Sequence, residues 1–273
     1  MQHTQAIFDP VESGDPDQVR KLIDDDPGLT HVRRIKRDLE GQTPLCAAAM
    51  AGHLQIVRLL IERGAGVYER AHWGYPAIQH AFWAKQQHVV DFFLGEAATK
   101  AEGTWGLGIE INLAARNGWT ELVKKHIERD PLSVYARGVI GDTPLHWPAH
   151  NGHEEIVALL LDAGAEIEAD AGLYGGRPLH WAAEHEPHTV KLLLERGAQA
   201  DSRNLDEGEF KGFTPLIMCA KQRNDCAECA ELLLEAGANA NARDARGRSA
   251  LDHAIAGGHK RVENVLRERG AQS

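Results

Sequence analysis

The sequence predicts an all-α solenoid of stacked helix–turn–helix repeats. Three observations lead to this prediction: a short phrase returns along the chain, its copies recur at a regular interval, and many of the units end in a Gly-Ala pair. The intervals from Gly41 to Gly74 and from Gly212 to Gly247 are nearly equal. Both are close to roughly 33 residues, a period that indicates one supersecondary unit per repeat, which buries its apolar face against its neighbours.

The recurring phrase contains the signals that start a helix. Its copies stand at residues 41–48, 141–148, 176–183 and 212–216. Thr143 is a good N-cap, because its hydroxyl can accept from the free amides of the first turn. Pro144 can take the first helical position, where its missing N–H costs nothing. The small pairs Ala48-Ala49 and Ala182-Ala183 then allow neighbouring helices to approach closely.

A second helix is predicted after each phrase. Apolar residues at i, i+1, i+3 and i+4 predict one buried stripe, as in Ile56, Val57, Leu59 and Leu60. Glycine in the left-handed conformation can close such a helix. The expected closing Gly-Ala pairs stand at residues 64–65, 164–165, 197–198, 237–238 and 270–271.

The phrase, its period and the Gly-Ala endings together resemble the ankyrin repeat over nearly the whole chain. The resemblance implies an all-α ankyrin-repeat solenoid with β-hairpin or turn fingers, and we count about eight repeats. We expect residues 1–273 to form a single array. The fourth repeat has Ile109 to Asn112 in place of the Thr-Pro phrase, and the first and fourth repeats end in Asp-Pro, as the opening unit of a bacterial-type array does. These departures suggest a possible seam near residues 99–106, with three repeats in 1–98 and five in 104–273.

Composition excludes several classes of partner. The formal net charge of −10 argues against a non-specific nucleic-acid binder and against adhesion to anionic lipid. No stretch approaches the roughly 18 apolar residues that span a bilayer. The N-terminus lacks the pattern of a secretory signal, and three of four cysteines crowd into one segment, which is no disulfide framework. We therefore expect a monomeric cytoplasmic protein.

The resemblance also implies where a partner would bind. In ankyrin arrays the first helices and the finger tips line the concave groove, and the two positions after the small pair point into it. In this chain, aromatic and ionisable residues are concentrated at those positions near the middle of the array. Such a concentration favours a binding surface, because exposed side chains without a shared function would not need to cluster. The candidate partner-binding residues are Trp73, Tyr75, Trp83, Trp105, Arg116, Asp142, His150, Tyr174, Glu184, His185, Phe213 and Lys221.

Several conspicuous residues have a structural interpretation instead. Trp147 and Trp181 occupy a position that commonly packs between helices in this family, so we expect them in the core, and Trp119 is also expected to be structural. Histidines in the Leu-His and Gly-His positions usually tie neighbouring repeats by hydrogen bonds. They are His146 and His180, and His53, His153 and His259.

A metal site is not predicted. His150 and Glu184 could face each other across one repeat step, but zinc needs three or four converging ligands and no third ligand is specified. Cys226 and Cys229 have the spacing of a zinc half-site, yet no second pair exists. We expect Cys219 and Cys229 in the core and Cys226 as a loop thiol, and we predict no cofactor.

The predicted function is a protein–protein interaction module that holds a protein or peptide. No nucleophile elbow, phosphate loop, His-Glu-x-x-His helix or dinucleotide fingerprint occurs, so no enzymatic activity is expected. An inert scaffold that self-associates would show a mass that depends on concentration. The principal alternative is a small-molecule binder or an enzyme that uses a groove cluster. That cluster would contain Arg116, Asp142, His150, Glu184 and His185.

Overall fold

The chain consists of short helices in consecutive pairs. The structure is a computed structural model that describes residues 5–35, 40–67, 69, 71, 74–94, 111–138, 140–171, 175–204 and 208–272. It divides into two compact units, Met1–Ile109 and Glu110–Ser273. The described residues contain three helix pairs in the first unit and five in the second. The predicted all-α fold class is confirmed, whereas the suggested seam at residues 99–106 lies outside the described residues.

The first unit stacks its helix pairs in two layers. First helices pack on first helices, α1 on α3 and α3 on α5, and second helices pack on second helices in the same order. A 3-10 helix, Pro27–His31, follows the first pair. The helices are α1 (Phe8–Ser13), α2 (Pro16–Asp25), α3 (Pro44–Ala51), α4 (Leu54–Glu62), α5 (Ala77–Trp83) and α6 (Gln87–Leu94).

The second unit repeats the same two layers over five pairs. First helices pack in the order α7, α9, α11, α13 and α15, and the intervening second helices pack in the same order. A 3-10 helix, Pro131–Tyr135, follows the first pair. The helices are α7 (Ile111–Arg116), α8 (Thr120–Arg129), α9 (His146–Asn151), α10 (Glu154–Asp162), α11 (Pro178–Ala182), α12 (Pro187–Glu195), α13 (Pro215–Lys221), α14 (Ala227–Glu235), α15 (Ala250–Gly257) and α16 (Lys260–Glu268).

The core of each unit lies between the layers and follows the predicted stripe. Ile56, Val57 and Leu60 on α4 are buried, as are Ile156 and Leu160 on α10. Full burial of one such side chain contributes roughly 1.5–3 kcal/mol. Because each stripe is completed only by the adjacent repeat, stability is shared between neighbours.

The prediction of where the first helix of a repeat begins is confirmed in two repeats and wrong in a third. Thr43 and Thr214 each accept a hydrogen bond from a first-turn amide and precede a proline at the first helical position. The prediction for Thr143 is wrong, because α9 begins only at His146 and the Thr143 hydroxyl lies 2.8 Å from the imidazole Nδ1 of His146. Pro148 has no N–H to donate to the carbonyl four residues earlier, so the first hydrogen-bonded turn cannot form at Pro144.

Four of the five scaffold histidines tie neighbouring repeats as predicted. The exception is His146, whose Nδ1 accepts from the Thr143 amide of its own repeat and whose buried Nε2 has no hydrogen-bond partner among the described residues. His180 Nδ1 accepts from the Arg177 amide, so its Nε2 carries the proton and donates to the Phe213 carbonyl at 3.1 Å. The Gly-His histidines lie within hydrogen-bond distance of a carbonyl in the preceding repeat. Their partners are Glu12 for His53, Arg116 for His153 and Ala220 for His259.

The fingers between repeats are closed turns rather than long strands. Backbone hydrogen bonds close their bases, as between Asn204 and Phe213. In the described residues, the β-structure is one isolated antiparallel bridge, Arg243 with Ser249. Adjacent fingers also join, since the Ala245 amide donates to the Lys211 carbonyl at 3.1 Å.

Gly212 lies where two fingers approach each other. Its φ is +75°, and a Cβ there would lie 2.9 Å from the backbone nitrogen of Ala245. We expect Gly212→Ala to lower the free energy of unfolding by about 2 kcal/mol or more, because a left-handed alanine alone costs roughly 1–2 kcal/mol and the neighbouring backbone must also move. Urea unfolding followed by far-UV circular dichroism measures the loss.

Gly247 provides the matched control for this substitution. Its φ is +78°, but a Cβ there would meet nothing within 4 Å. Gly247→Ala should therefore lose only the conformational cost of roughly 1–2 kcal/mol. Equal losses in the two variants would show that the approach of the two fingers contributes nothing.

None of the helices described is both long and apolar enough to cross a membrane.

Candidate functional site

One column of side chains runs across three successive repeats of the second unit. Arg116, His150 and Glu184 follow each other at equal intervals of one repeat. Arg116 ends α7, His150 lies on α9, and Glu184 comes just after α11. Because these first helices pack side by side, the column becomes a contiguous surface. We call it the central cluster, which consists of Arg116, Trp147, His150, Trp181, Glu184 and His185.

Arg116 is held in place at both ends. Its guanidinium carbon lies 4.0 Å from the centre of the Trp147 ring. Such a cation–π contact contributes roughly 0.5–2 kcal/mol, depending on its exposure. Its carbonyl accepts a hydrogen bond from the Asn151 side chain at 2.8 Å and lies 3.2 Å from His153 Nε2. These contacts tie the end of α7 to α9, and the contact with Trp147 places the guanidinium.

The two tryptophans form the base of the central cluster. Their rings meet edge to face, with centres 5.0 Å apart. Trp181 is buried, as predicted, and its indole N–H donates to the Gly175 carbonyl at 3.3 Å. Trp147 is only partly buried, so the prediction that it belongs to the core is wrong. The guanidinium of Arg116 covers the face of the Trp147 ring.

His150, Glu184 and His185 bring three potential ligands together. The His150 Nδ1 atom lies 3.8 Å from a carboxylate oxygen of Glu184, and the rings of His150 and His185 meet edge to face at 4.7 Å. The Nδ1 atoms of both histidines are buried and have no hydrogen-bond partner among the described residues. The side chains themselves remain partly exposed, at 26% for His150, 22% for Glu184 and 31% for His185.

The contact between His150 and Glu184 is not a conventional ion pair. Burial raises the pKa of the Glu184 carboxyl to about 7. Burial also lowers the pKa of His150, and the positive charges of His185 and Arg116 act in the same direction. An ion pair would shift both pKa values the opposite way. The separation of 3.8 Å also exceeds a hydrogen bond, so we describe this contact as a partly desolvated pair rather than a salt bridge.

The first unit presents a smaller aromatic surface. Trp83 at the end of α5 is 41% exposed, and its ring meets that of Tyr75 edge to face at 4.9 Å. Both were predicted site residues, and both are accessible at least in part. Trp73, Trp105 and Tyr174 lie outside the described residues.

Two other predicted site residues are buried, contrary to the expectation, and a third remains partly exposed. Phe213 is completely buried against Phe210 and His253, so it belongs to the core and cannot contact a partner. The Asp142 side chain is also buried, and Asn112 donates to both its carbonyl and its carboxylate. Lys221 is partly exposed, with its ammonium 2.8 Å from Glu209.

The cysteines follow the sequence-based interpretation. Cys219 and Cys229 are buried, and Cys226 is partly exposed at the start of α14. The Cys226 and Cys229 sulfurs lie 2.9 Å apart. The hydrogen bond from Cys229 lowers the pKa of Cys226 to about 6, which increases its thiolate fraction.

Sequence reasoning missed that Trp147 contributes to the site, although a signal was present. Trp147 and His150 are separated by one helical turn, as are Trp181 and Glu184, and side chains at this spacing lie on one side of a helix. The two pairs are one repeat apart. That register places tryptophan beside the ionisable column in two consecutive repeats.

Comparison with known proteins agrees with this repeat geometry. A family model described as ankyrin repeats, in three copies, matches residues 7–102, 111–204 and 179–273. The chain belongs to the ankyrin-repeat family. Ankyrin repeats are generally protein–protein interaction modules, and the family is typically non-enzymatic.

Individual relatives share the ankyrin repeats over a limited part of their length. The chain is 27% identical over 274 residues to the ankyrin repeat protein nuc-2 of Neurospora crassa, covering 96% of this chain and 24% of that protein. It is 29% identical to mouse ankyrin repeat and SAM domain-containing protein 6, in a match that covers 48% of this chain and 13% of that protein. It is 31% identical to the Hydra vulgaris tyrosine-protein kinase HTK16, in a match that covers 61% of this chain and 22% of the kinase. The chain thus spans about a quarter or less of these relatives.

Proposed function

We propose that the central cluster binds a protein or peptide partner. The observation that carries this proposal is the partly exposed stack of Arg116 on Trp147, with His150, Glu184 and His185 beside it. Tryptophan and arginine dominate the binding energy of protein interfaces, because they give a large contact area and directional hydrogen bonds. The cation–π contact that places the Arg116 guanidinium on Trp147 reduces the conformational entropy lost on binding.

The test is capture of binding proteins from a native lysate by wild type and by Arg116→Ala. A specific partner recovered by wild type should be lost by Arg116→Ala, because removing a binding hot spot costs about 2 kcal/mol or more. The measured quantity is the recovered partner, followed by its dissociation constant once it is purified. The melting temperature should fall by only a few degrees, because the lost contact with Trp147 contributes roughly 0.5–2 kcal/mol.

Lys191→Ala is the matched control. Lys191 lies on the second helix α12, is 63% exposed, and makes one weak ion pair with Glu195 at 3.9 Å. Its removal should leave partner recovery unchanged. If all three proteins recover the same partner equally, binding does not use the central cluster. Partner recovery by Trp83→Ala tests whether the aromatic surface of the first unit takes part in binding.

A small polar ligand is the second candidate for the central cluster. Burial raises the pKa of Glu184 to about 7, so this carboxyl can exchange a proton near neutral pH, whereas burial lowers the pKa of His150 and favours its neutral form, which can accept a proton. Such a ligand should raise the melting temperature of wild type but not of Glu184→Gln. A protein partner lost with Arg116→Ala favours the first candidate.

Localisation, oligomeric state and the continuity of the array concern the whole chain. We propose that it is a cytoplasmic monomer with residues 1–273 in a single array. Light scattering coupled to size-exclusion chromatography measures the mass. Calorimetry tests the array, since a single continuous stack should unfold with coupled rather than independent transitions.

A further inference from the structure

We propose that His150, Glu184 and His185 form a three-ligand site for a divalent transition metal of the zinc class. This inference goes beyond partner binding, because the site would exist whether or not a protein partner engages the same surface. Among the described residues, this is the one group of three or more potential metal ligands that lie close enough together to share an ion.

The geometry of the three ligand atoms is near that of a metal site. One ligand atom from each residue can be chosen so that all lie within 4.8 Å of one another, and His150 Nδ1 is 3.8 Å from Glu184. Zinc–ligand bonds of about 2.0–2.2 Å in a tetrahedron place ligand atoms roughly 3.3–3.6 Å apart. An inward movement of about 1.5 Å or less is therefore sufficient for zinc coordination, and small side-chain rotations can supply it.

The histidine nitrogens provide the second observation. The Nδ1 atoms of His150 and His185 are buried, and neither has a hydrogen-bond partner in the part of the chain that the structure describes. Buried polar atoms are nearly always satisfied, so two unsatisfied nitrogens in one cluster require an explanation. A metal ion that accepts a lone pair from an imidazole nitrogen satisfies it in the same way as a hydrogen-bond donor.

The ligand set indicates the class of metal. Two imidazoles and one carboxylate suit zinc and its neighbours in the first transition series, whereas magnesium and calcium prefer oxygen ligands alone. Two histidines with a glutamate leave a fourth position for water or for a group of a ligand. The partial exposure of all three side chains keeps that position open to solvent.

Two residues around the site influence its affinity in opposite directions. Arg116 lies close enough for its positive charge to act on His150, so it opposes a dication. Glu186, with a carboxylate oxygen 3.6 Å from His185 Nε2, supplies a negative charge on the other side. At 3.6 Å the Glu186 carboxylate is too distant for a hydrogen bond to His185 Nε2, so it acts on the site through its charge.

The experiment measures metal binding directly, without any assay of activity. Protein treated with a chelator is titrated with Zn²⁺ in a calorimeter and with Co²⁺ in a spectrophotometer, where a tetrahedral site gives intense visible absorption. The full chain is used with Cys226→Ser, so that the exposed thiol does not supply a competing ligand. We expect one equivalent to bind, with Co²⁺ bands typical of nitrogen and oxygen ligands.

Ligand variants decide whether these residues hold the metal. Glu184→Gln keeps the shape of the side chain, and His150→Ala and His185→Ala each remove an imidazole. Each should weaken binding by about tenfold or more. His188→Ala is the matched control, since His188 is exposed on the neighbouring α12 and outside the cluster. It should bind as the parent does.

The titrations distinguish a metal site formed by these three residues from other sources of binding. Absence of binding by the parent protein overturns the proposal, as does binding that survives in Glu184→Gln, His150→Ala and His185→Ala. Circular dichroism melts exclude loss of fold as the cause of a lost signal. Loss of metal with retained partner capture, or the reverse, distinguishes failure of this inference from failure of the proposed partner site.

Discussion

Phe213→Ala is expected to lower the free energy of unfolding by about 3–5 kcal/mol, the range found for buried phenylalanines. The ring is completely buried between Phe210 and the His253 imidazole, with ring centres 5.5 and 5.0 Å away. The Phe213 backbone also closes its finger with Asn204 and accepts from His180 of the preceding repeat. Removal of the Phe213 ring therefore leaves a cavity where two repeats join. Urea unfolding followed by tryptophan fluorescence measures the loss.

Phe210→Ala is the appropriate control, because it removes the same number of atoms from a neighbouring position in the same finger. Phe210 is only partly buried, so we expect a loss of about half as much or less. Equal losses would mean that the ring of Phe213 is no better packed than that of Phe210. A large loss of partner binding at unchanged stability would instead restore Phe213 as a contact residue.

Acidification from pH 7 to about pH 4.5 is expected to destabilise the second unit through His146 and His180. Burial lowers the pKa of each imidazole from 6.5 to about 4. An unfolded chain takes up these protons near pH 6.5, whereas the folded protein resists them until about pH 4. The free energy of unfolding that depends on these two neutral imidazoles is thus fully present above pH 6.5 and is lost as the pH falls towards 4. Each group accounts for on the order of 2 kcal/mol or more.

His180→Gln isolates one of the two contributions. In wild type the Nδ1 atom of His180 accepts from the Arg177 amide, so protonation there would place a donor against a donor. Glutamine cannot take up the proton, yet its amide can still donate towards the Phe213 carbonyl. The slope of stability against pH near pH 5.5 should fall by about 1.4 kcal/mol per pH unit, the value for one proton. Parallel slopes in wild type and His180→Gln would contradict the assignment.

Local and periodic features of the fold were readable from the sequence. The helix pairs follow from cap residues, small-residue pairs and apolar stripes that recur once per repeat, and each signal acts over a few residues. The scaffold roles of His53, His153 and His259 were predicted for the same reason, since each occupies a fixed position in its repeat. The start of α9 was not predicted correctly, because Pro148 removes a hydrogen bond that the Thr-Pro phrase alone would indicate.

The candidate site was only partly predictable. The repeat interval placed Arg116, His150 and Glu184 in one column, but it could not show how far each side chain is from the next. Nor could it show that Trp147 would be partly exposed under Arg116, or that Phe213 would be buried. Those outcomes depend on which side chains from adjacent repeats fill the space around a position, and this is a property of packing rather than of spacing.

The sequence by itself determined the repeat, its period and the residues that share a register, because backbone hydrogen bonding and helix capping are local. Only the tertiary structure decided that His185 meets His150 across one repeat step and leaves two imidazole nitrogens without partners among the described residues. Contacts between repeats depend on side-chain rotamers, which are selected by close packing with neighbours that are distant in the chain.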